Sequence, residues 1–283
     1  MNSTSVLDFE VPQERVHAEI EFLQPTTDRA YTYGYTPSDH ETPSTAAFTT
    51  HRVVIRNART APRQLSLREH GATLIEHRSS VRDFYDDDQV IGGYYSESAA
   101  LIKAATGADR VVVFDHNVRR GLSLTLRNDR YRQGRPVLHA HTDFTEASAV
   151  RRLRDHLGAE AVDLQSQRMM QVNLWRPIRA PLRDFPLAIC DASSISPHQL
   201  VVVDLIYPDR RGEIYYLAYD SAQRWYYAPD MELHEAWLFV NYDSATSGTA
   251  RFAAHSAFNE TSRGVDVHPR ESIEVRAFAL FNV

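Results

Sequence analysis

The sequence predicts a mainly β protein of the α+β class, in which a partly helical N-terminal part packs on a jelly roll or barrel of strands. From residue 167 onward, about eight short runs of β-branched and aromatic residues alternate with turn-like segments, a spacing typical of β-sandwiches and barrels. Before that point, strand-like runs are mixed with two stretches that carry the residues with which helices begin and end. The sequence shows no internal repeat and no clear linker, which favours one folding unit.

The bulk composition is that of a globular protein. The chain has 283 residues, of which 43% are hydrophobic and 24% are charged. We interpret it as one domain over residues 1–283, with a mixed part over residues 1–134 and a β core over residues 135–283. The net charge of -6 argues against a nucleic acid or an anionic membrane surface as partner.

The cysteine content and the N-terminus bear on the compartment. Cys190 is the single cysteine, so neither an intrachain disulfide nor a zinc site of several cysteines is possible. The first residues are polar and lack the apolar core of a signal peptide, and no apolar run approaches the length of about 20 residues that a membrane span needs. These features predict a cytoplasmic protein.

The first half of the chain is predicted to contain three strands and a helix. Three aspartates at 86–88 precede a periodic apolar segment, and acids near a helix N-terminus interact favourably with its dipole, so residues 90–105 are predicted to be helical. Gly107 is expected to end this helix. Residues 31–46 are rich in Thr, Pro and Ser and predict an irregular loop, while residues 67–76 fit a short helix or a strand. The predicted strands cover residues 16–23, 51–57 and 110–114.

The second half begins with a strand and a capped helix and continues with strands. Residues 137–143 alternate as in a strand, and Thr145 is the predicted N-cap of a helix over residues 146–157. The Asp-Arg-Arg-Gly sequence at 209–212 predicts the turn of a hairpin. The remaining predicted strands cover residues 168–175, 187–191, 200–207, 212–219, 224–228, 236–242, 250–254 and 272–283.

The sharpest local motif is His141-Thr-Asp143, at the end of the first of these strands. Alternate residues of a strand point to one face, so His139, His141 and Asp143 are predicted to face the same way. An imidazole beside a carboxylate supplies two of the three ligands of a two-histidine, one-carboxylate metal centre. Such a centre keeps coordination positions open and is used by non-heme Fe(II) oxygenases. Because a His-x-Asp pair is common by chance, the prediction depends on a third ligand.

A second histidine from the later strands is needed to complete this centre. His255 follows the predicted strand over residues 250–254, and we favour it over His234, which lies in the acidic segment Met-Glu-Leu-His-Glu. His198 and His268 lie in turn-like segments and rank below both.

An iron oxygenase that uses 2-oxoglutarate also needs a cation for the distal carboxylate of that co-substrate. Arginine suits this task because its planar guanidinium binds a carboxylate through two hydrogen bonds and keeps its charge. Arg270 and Ser272 share one face of the predicted last strand. Arg276 lies on that face as well, and Arg263 is the candidate from the preceding loop. The alternative is that Arg270 pairs with a surface acid such as Glu274.

Two aromatic clusters are candidates for the wall of a substrate pocket. Trp175 lies two residues after Asn173, and Trp225 lies two residues before Tyr227. Each cluster can line a cavity or pack in the core. Other chemistries have less support, because the sequence contains no glycine-rich phosphate loop, no Gly-x-Ser-x-Gly and no Cys-x-x-Cys.

Many stretches, in a consistent order, resemble a known family. They are residues 67–71, 81–84, 94–97, 106–111, 114–119, 141–143, 172–177, 186–191, 224–227, 242–244, 255–258 and 270–276. From about residue 30 to its end, the chain resembles the hydroxylases and desaturases of fungi and bacteria that include the cephamycin-pathway protein CmcJ and the fungal gibberellin desaturase.

This resemblance implies a double-stranded β-helix fold and the oxidative tailoring of a small natural product with Fe(II), dioxygen and usually 2-oxoglutarate. His141, Asp143 and His255 match the positions of the family's metal ligands, and His139 is an additional neighbour. The residues predicted to bind the co-substrate are Arg270, Ser272, Arg276 and Asn173.

Three functions remain open on the sequence. The first is hydroxylation, desaturation or cyclisation of a small secondary metabolite by an Fe(II)- and 2-oxoglutarate-dependent oxygenase. The second is an iron oxidase that draws all electrons from its substrate without 2-oxoglutarate. The third is a non-catalytic partner of a tailoring transferase, which the resemblance suggests because CmcJ works alongside a second protein. The intact His/Asp/His set favours an enzyme, while a pathway protein or a second copy of the chain is left open as a partner.

Overall fold

The computed structural model describes residues 14–35, 37–38, 40–120, 136–164, 167–260 and 267–282, and this part of the chain is mainly β. The strands of the first half are β1 (Arg15–Leu23), β2 (Tyr31–Tyr33), β3 (Phe48–Asn57), β4 (Ala72–Glu76) and β5 (Arg110–Arg120). The strands of the second half are β6 (His141–Thr142), β7 (Arg168–Pro177), β8 (Leu187–Cys190), β9 (Leu200–Ile206), β10 (Arg211–Leu217), β11 (Trp225–Tyr227), β12 (Glu235–Asp243), β13 (His255–Ala257) and β14 (Glu271–Phe281). The helices are α1 (Leu67–His70), α2 (Asp87–Gln89), α3 (Tyr95–Thr106), α4 (Glu146–Leu157) and α5 (Glu160–Leu164).

The described strands form two sheets, and each sheet combines strands from both halves of the chain. The larger sheet has the order β1-β3-β11-β8-β13-β6-β10-β9-β2, and the smaller one has the order β4-β12-β7-β14-β5. Side chains of both sheets meet in a buried cluster that contains Trp237 and Phe239 of β12 and Ile189 of β8. The metal-binding candidates lie at this junction between the sheets. His141 and His255 belong to the larger sheet, and Arg276, which contacts Asp143, belongs to the smaller one.

Strand β14 shows how sequence alternation positions polar groups. Ile273 and Val275 pack on Val90 and Tyr94 of the helical segment that precedes α3. Alternate residues of a strand point to opposite faces, so Glu274 and its alternate neighbours Ser272 and Arg276 face the other way, toward the larger sheet. The outer face is therefore apolar under a helix, while the inner face carries charge.

The helices begin and end where the local chemistry predicts. The Asp86 side chain caps α2, a π-helical turn at Val90–Tyr94 leads into α3, and Gly107 ends it at φ 72°. Thr145 and Ser148 form a reciprocal capping box at the start of α4. None of the described helices is long and apolar enough to cross a membrane.

Most predicted strands are confirmed, and one is wrong. Residues 67–76 contain both alternatives, α1 followed by β4, and the segment 137–143 keeps regular pairing only in β6. Residues 250–254 form no strand, and β13 begins at His255 instead. The reason is that the chain crosses between the sheets here: the Ala253 N–H donates to the carbonyl of Val240 in the smaller sheet, and the Ala254 carbonyl accepts from Cys190 in the larger one.

Candidate metal centre

The two histidines are brought together by strand pairing. Strand β13 lies between β8 and β6, and its register places His255 directly opposite His141. The ring centroids of the two imidazoles are 4.4 Å apart. This register, rather than closeness along the sequence, selects His255 as the neighbour of His141.

The carbonyl groups near each histidine orient its ring. His141 Nδ1 lies 2.7 Å from the carbonyl oxygen of His139, and His255 Nδ1 lies 3.4 Å from that of Ala253. A carbonyl oxygen only accepts hydrogen bonds, so both contacts place the ring N–H at Nδ1. Nε2 of each ring then carries the electron pair that can bind a metal. Both Nε2 atoms face Asp143 Oδ1, at 3.5 Å from His141 and 3.9 Å from His255.

The three side chains offer a donor set that fits a single metal ion. One ligand atom from each of His141, Asp143 and His255 lies within 4.8 Å of the other two, and this is the metal-compatible group found among the described residues. Burial lowers the pKa of His255 to about 3, so this ring is neutral and able to bind a metal. Burial opposes ionisation of Asp143, but the charge of the neighbouring Arg276 outweighs it and holds the pKa of Asp143 well below its ordinary value. Two imidazoles and a carboxylate match the ligand set of non-heme Fe(II) oxygenases.

The second oxygen of Asp143 is engaged by the smaller sheet. Asn173 Nδ2 donates to Oδ2 at 2.7 Å, and Arg276 Nε donates to the same oxygen at 3.1 Å. The backbone N–H of Asp143 donates to Asn241 Oδ1 at 3.0 Å. Asn241 sits at an irregularity in the pairing of β12 with β7, and such bulges turn a side chain out of the regular alternation.

Neighbouring acids surround Arg276. It donates to Asp115 Oδ2 at 3.2 Å and to Glu274 Oε1 at 3.1 Å in addition to Asp143. Burial acts to lower the pKa of Arg276, but these three carboxylates outweigh it and raise that pKa above its ordinary value. Asp115 and Asn241 were not among the site residues predicted from the sequence. The alternation of Asp115 and Asn117 on β5 was the available signal for the first, and no local pattern pointed to the second.

Arg270 has a different environment. Its Nε donates to Ser272 Oγ at 3.0 Å, its Nη1 donates to the carbonyl of Phe185 at 2.8 Å, and its guanidinium lies 4.9 Å from the centre of the Trp175 ring. Asp184 accepts from the backbone N–H of Arg270 and not from its guanidinium. Within the described ranges, no carboxylate forms an ion pair with this guanidinium, although Arg270 is only 3% exposed. Burial lowers the pKa of Arg270 to about 9.

Two cavities adjoin the metal-binding group. A small one connects His141, Asp143 and His255 with Trp175 and Arg270. A larger one, of about 800 Å³, opens beside His141 and Asp143, between α4 and the hairpin of β9 and β10. A further cavity of about 690 Å³ lies elsewhere, near α1, and includes the ion pair of Arg168 with Asp243 but none of the three metal-binding candidates.

Other predicted site residues lie away from the group. His139 stacks on Phe48 at 3.7 Å and its Nδ1 lies 2.5 Å from Glu21 Oε2, so it faces a separate partner. Trp225 and Tyr227, predicted for the pocket wall, are buried in the core with Phe22 and instead line neither cavity beside the metal-binding group. The three other histidine candidates also lie elsewhere: His198 in a short 3-10 turn, His268 beside Arg179 and His234 just before β12. Arg263 lies outside the described residues.

Comparison with known proteins gives similarity over nearly the whole chain. A family model described as an oxidoreductase/YMDC permease-like domain matches residues 20–280. The Fe(II)/2-oxoglutarate-dependent dioxygenase nvfI of Aspergillus novofumigatus is 32% identical over 269 residues, which are 92% of this chain and 94% of the relative. The alpha-ketoglutarate-dependent dioxygenase phiK of a fungal species is 34% identical over 77% of this chain and 80% of its own. The solved structure of the iron and alpha-ketoglutarate-dependent endoperoxidase NvfI superposes with a TM-score of 0.86 at 30% identity, covering 95% of this chain and 99% of that one.

Proposed function

This chain belongs to the family of Fe(II)- and 2-oxoglutarate-dependent dioxygenases, and we propose that His141, Asp143 and His255 hold its iron. It is an oxidoreductase that uses Fe(II), 2-oxoglutarate and dioxygen. One observation carries the ligand proposal: one ligand atom from each of two imidazoles and a carboxylate lies within 4.8 Å of the other two. When bound, the iron supplies the oxidising power for attack on an unactivated C–H bond, and the protein orients the reactants and excludes water.

Arg270 is proposed to bind the distal carboxylate of 2-oxoglutarate, with Ser272 beside it. A buried cation without a paired carboxylate is unfavourable, and an anionic co-substrate relieves this. One small cavity is lined both by the three metal-binding candidates and by Arg270, so the guanidinium adjoins the position that a metal-bound co-substrate would take. The planar guanidinium, stacked on Trp175, presents a donor edge suited to a carboxylate.

The cavity of about 800 Å³ is proposed to hold a small natural-product substrate. The residues that line it favour a substrate with an anionic group. Arg151 donates to a backbone carbonyl and Arg210 stacks on Tyr207, and neither is ion-paired with a described carboxylate. A carboxylate or phosphate on the substrate is the partner that such guanidinium groups bind. Hydroxylation, desaturation and cyclisation all begin with the same attack on a C–H bond, so this cavity does not discriminate among them.

The two sheets are proposed to form a double-stranded β-helix within a single domain over residues 1–283. The mixing of strands from both halves in each sheet supports this, as does the close superposition on NvfI. A cytoplasmic location and any protein partner stay predictions.

Oxygen-dependent release of succinate from 2-oxoglutarate tests the function. Purified protein is loaded with Fe(II) without oxygen and then given 2-oxoglutarate and oxygen, and we expect succinate from the wild type and none above background from Asp143→Ala. Arg29→Gln, at an exposed ion pair away from the centre, is the control and keeps the wild-type rate. Full succinate release by Asp143→Ala contradicts the ligand assignment. Substrate turnover without 2-oxoglutarate favours the iron oxidase, and metal-free protein that binds a transferase undiminished favours the non-catalytic partner.

A further inference from the structure

The carboxylate of Asp143 has two oxygens in unlike environments. Oδ1 faces the Nε2 atoms of His141 and His255, at 3.5 and 3.9 Å. Oδ2 faces the smaller sheet, where Asn173 and Arg276 both donate to it. The carboxylate is ionised, so both contacts with Oδ2 are charge-assisted, and the one from Arg276 also carries a charge on the donor.

These two donors are fixed by the sheet that carries them. Strand β14 lies between β5 and β7, and its register sets Arg276 opposite Asp115 on one side and opposite Asn173 on the other. Asn173 is only 1% exposed, in the centre of the five strands. Asp115 accepts from Nη1 and Glu274 from Nη2, so all three guanidinium nitrogens are engaged and Arg276 has little freedom to swing away from Asp143.

The same contacts make Arg276 a poor site for an additional anion. Three carboxylates already surround its single positive charge, and a fourth would be repelled. Asn173 likewise commits one of its two amide N–H groups to Asp143. The environment of these two residues thus differs from that of Arg270, to which no described carboxylate is paired.

We propose that Asn173 and Arg276 hold Asp143 by its Oδ2 atom, so that Oδ1 alone is presented to the metal between His141 and His255. They are positioning residues for the metal ligand and not part of the 2-oxoglutarate site. A carboxylate held by one oxygen binds a metal through the other, which keeps the remaining coordination positions open for the co-substrate and dioxygen. This inference rests on the proposed function, because the ligand role of Asp143 is itself proposed.

Metal affinity and co-substrate affinity, measured separately, test the inference. Co(II) is titrated into the full chain without oxygen by calorimetry, and 2-oxoglutarate is then titrated into the Co(II)-saturated protein. We expect Asn173→Leu and Arg276→Gln to weaken Co(II) binding by about 10–100-fold, the usual range for lost ligand-orienting contacts. Both variants bind 2-oxoglutarate like the wild type once saturated with Co(II), and the visible spectrum of bound Co(II) changes. Arg270→Gln gives the reverse pattern, with Co(II) binding unchanged and 2-oxoglutarate binding weakened.

Arg168→Gln is the matched control for a general loss of stability. It leaves the buried Asp243 without its cation, as Arg276→Gln does with Asp143, but Arg168 lines the cavity away from the centre. Wild-type Co(II) affinity in this control supports the inference, and a similar loss in it overturns the inference. Should Arg276→Gln not fold, Asn173→Leu decides, since it changes no charge.

The outcomes separate the inference from the proposed function. If His141→Ala binds Co(II) like the wild type, the metal centre itself is wrong. If His141→Ala loses Co(II) while Asn173→Leu and Arg276→Gln keep it, the centre stands and the positioning role is overturned. Weaker 2-oxoglutarate binding with unchanged Co(II) affinity in Arg276→Gln would return that arginine to the co-substrate site.

Discussion

Arg270 lies directly before the last strand and Arg276 lies on it. Arg270 is buried and Arg276 is half-buried, yet their surroundings are opposite. Arg276 is ion-paired with Asp115, Asp143 and Glu274. Arg270 contacts a hydroxyl, a backbone carbonyl and an indole ring, and has no ion pair with a described carboxylate. The difference separates two tasks: a guanidinium whose charge is already balanced can hold a side chain in place, whereas one whose charge is unbalanced is available to an anionic ligand.

The largest effect is expected for stability when Arg276 is neutralised. Arg276→Met leaves its three acids without their cation, and breaking a buried ion pair from one side costs about 3–5 kcal/mol of unfolding free energy. Denaturant unfolding of the metal-free protein measures this loss. The control is Arg29→Met, at an exposed arginine that also contacts two acids, Asp204 and Glu213, and there we expect about 0–1 kcal/mol. Equal losses in the two variants would show that the enclosure of Arg276 has no energetic consequence.

Neutralising Arg270 is expected to act on ligand binding instead. Arg270→Met removes the partner of a buried carboxylate, which costs about 2–3 kcal/mol at the lower end of measured cases, or roughly 30–150-fold in 2-oxoglutarate affinity. The unfolding free energy of the protein without ligand stays the same or rises, because a buried charge that has no ion pair with a described carboxylate is replaced by an apolar side chain. Calorimetric titration and denaturant unfolding test the two halves of this prediction. A stability loss as large as that of Arg276→Met would contradict the contrast.

A smaller change is expected at Ser272, which orients Arg270. Ser272→Ala removes the hydroxyl that accepts from Arg270 Nε, and a hydrogen bond of this kind contributes about 1 kcal/mol, or roughly fivefold in 2-oxoglutarate affinity. Co(II) affinity is expected to stay at the wild-type value, because Ser272 contacts none of the three metal-binding candidates. Ser256→Ala, on β13 beside His255, is a comparison in which the lost hydroxyl contacts the carbonyl of Leu138 and not an arginine. If Ser256→Ala weakens 2-oxoglutarate binding while Ser272→Ala leaves it at the wild-type affinity, the role given to Ser272 is contradicted.

The smallest effect concerns exposed arginines that, like Arg270, form no ion pair with a carboxylate in the described part of the chain. Neutralising Arg151 and Arg210 together is expected to change stability by less than about 0.5 kcal/mol, because solvent already satisfies both groups. Carboxylic acids that stimulate 2-oxoglutarate consumption by the wild type are expected to bind the double variant a few-fold more weakly, while their methyl esters bind both proteins alike. An equal change for acids and esters would remove the case for an anionic substrate.

Local sequence determined a large part of this protein. The alternation of Ser272, Ile273, Glu274 and Val275 assigned the faces of the last strand, and Asp86, Gly107 and Thr145 marked helix ends, because capping and side-chain direction depend only on neighbours along the chain. The His-x-Asp motif likewise placed two ligand candidates side by side without reference to any other strand. His255 could be named as the third, although its strand was predicted on the wrong side of it.

Only the tertiary structure decided which groups meet across strands. His255 faces His141 because β13 pairs with β6, and Asn173 meets Asp143 beside Arg276 because β14 pairs with β7. Arg270 lies directly before β14 and Arg276 lies on it, and the sequence predicted one face for both, so no local pattern could tell them apart. Their roles differ because residues far away along the chain surround them. Asp115 and Asp143 contact Arg276, whereas Phe185 and Trp175 contact Arg270. Register between strands is a long-range property of the folded chain, and here it separates the arginine that orients a ligand of the metal from the one that remains available to an anion.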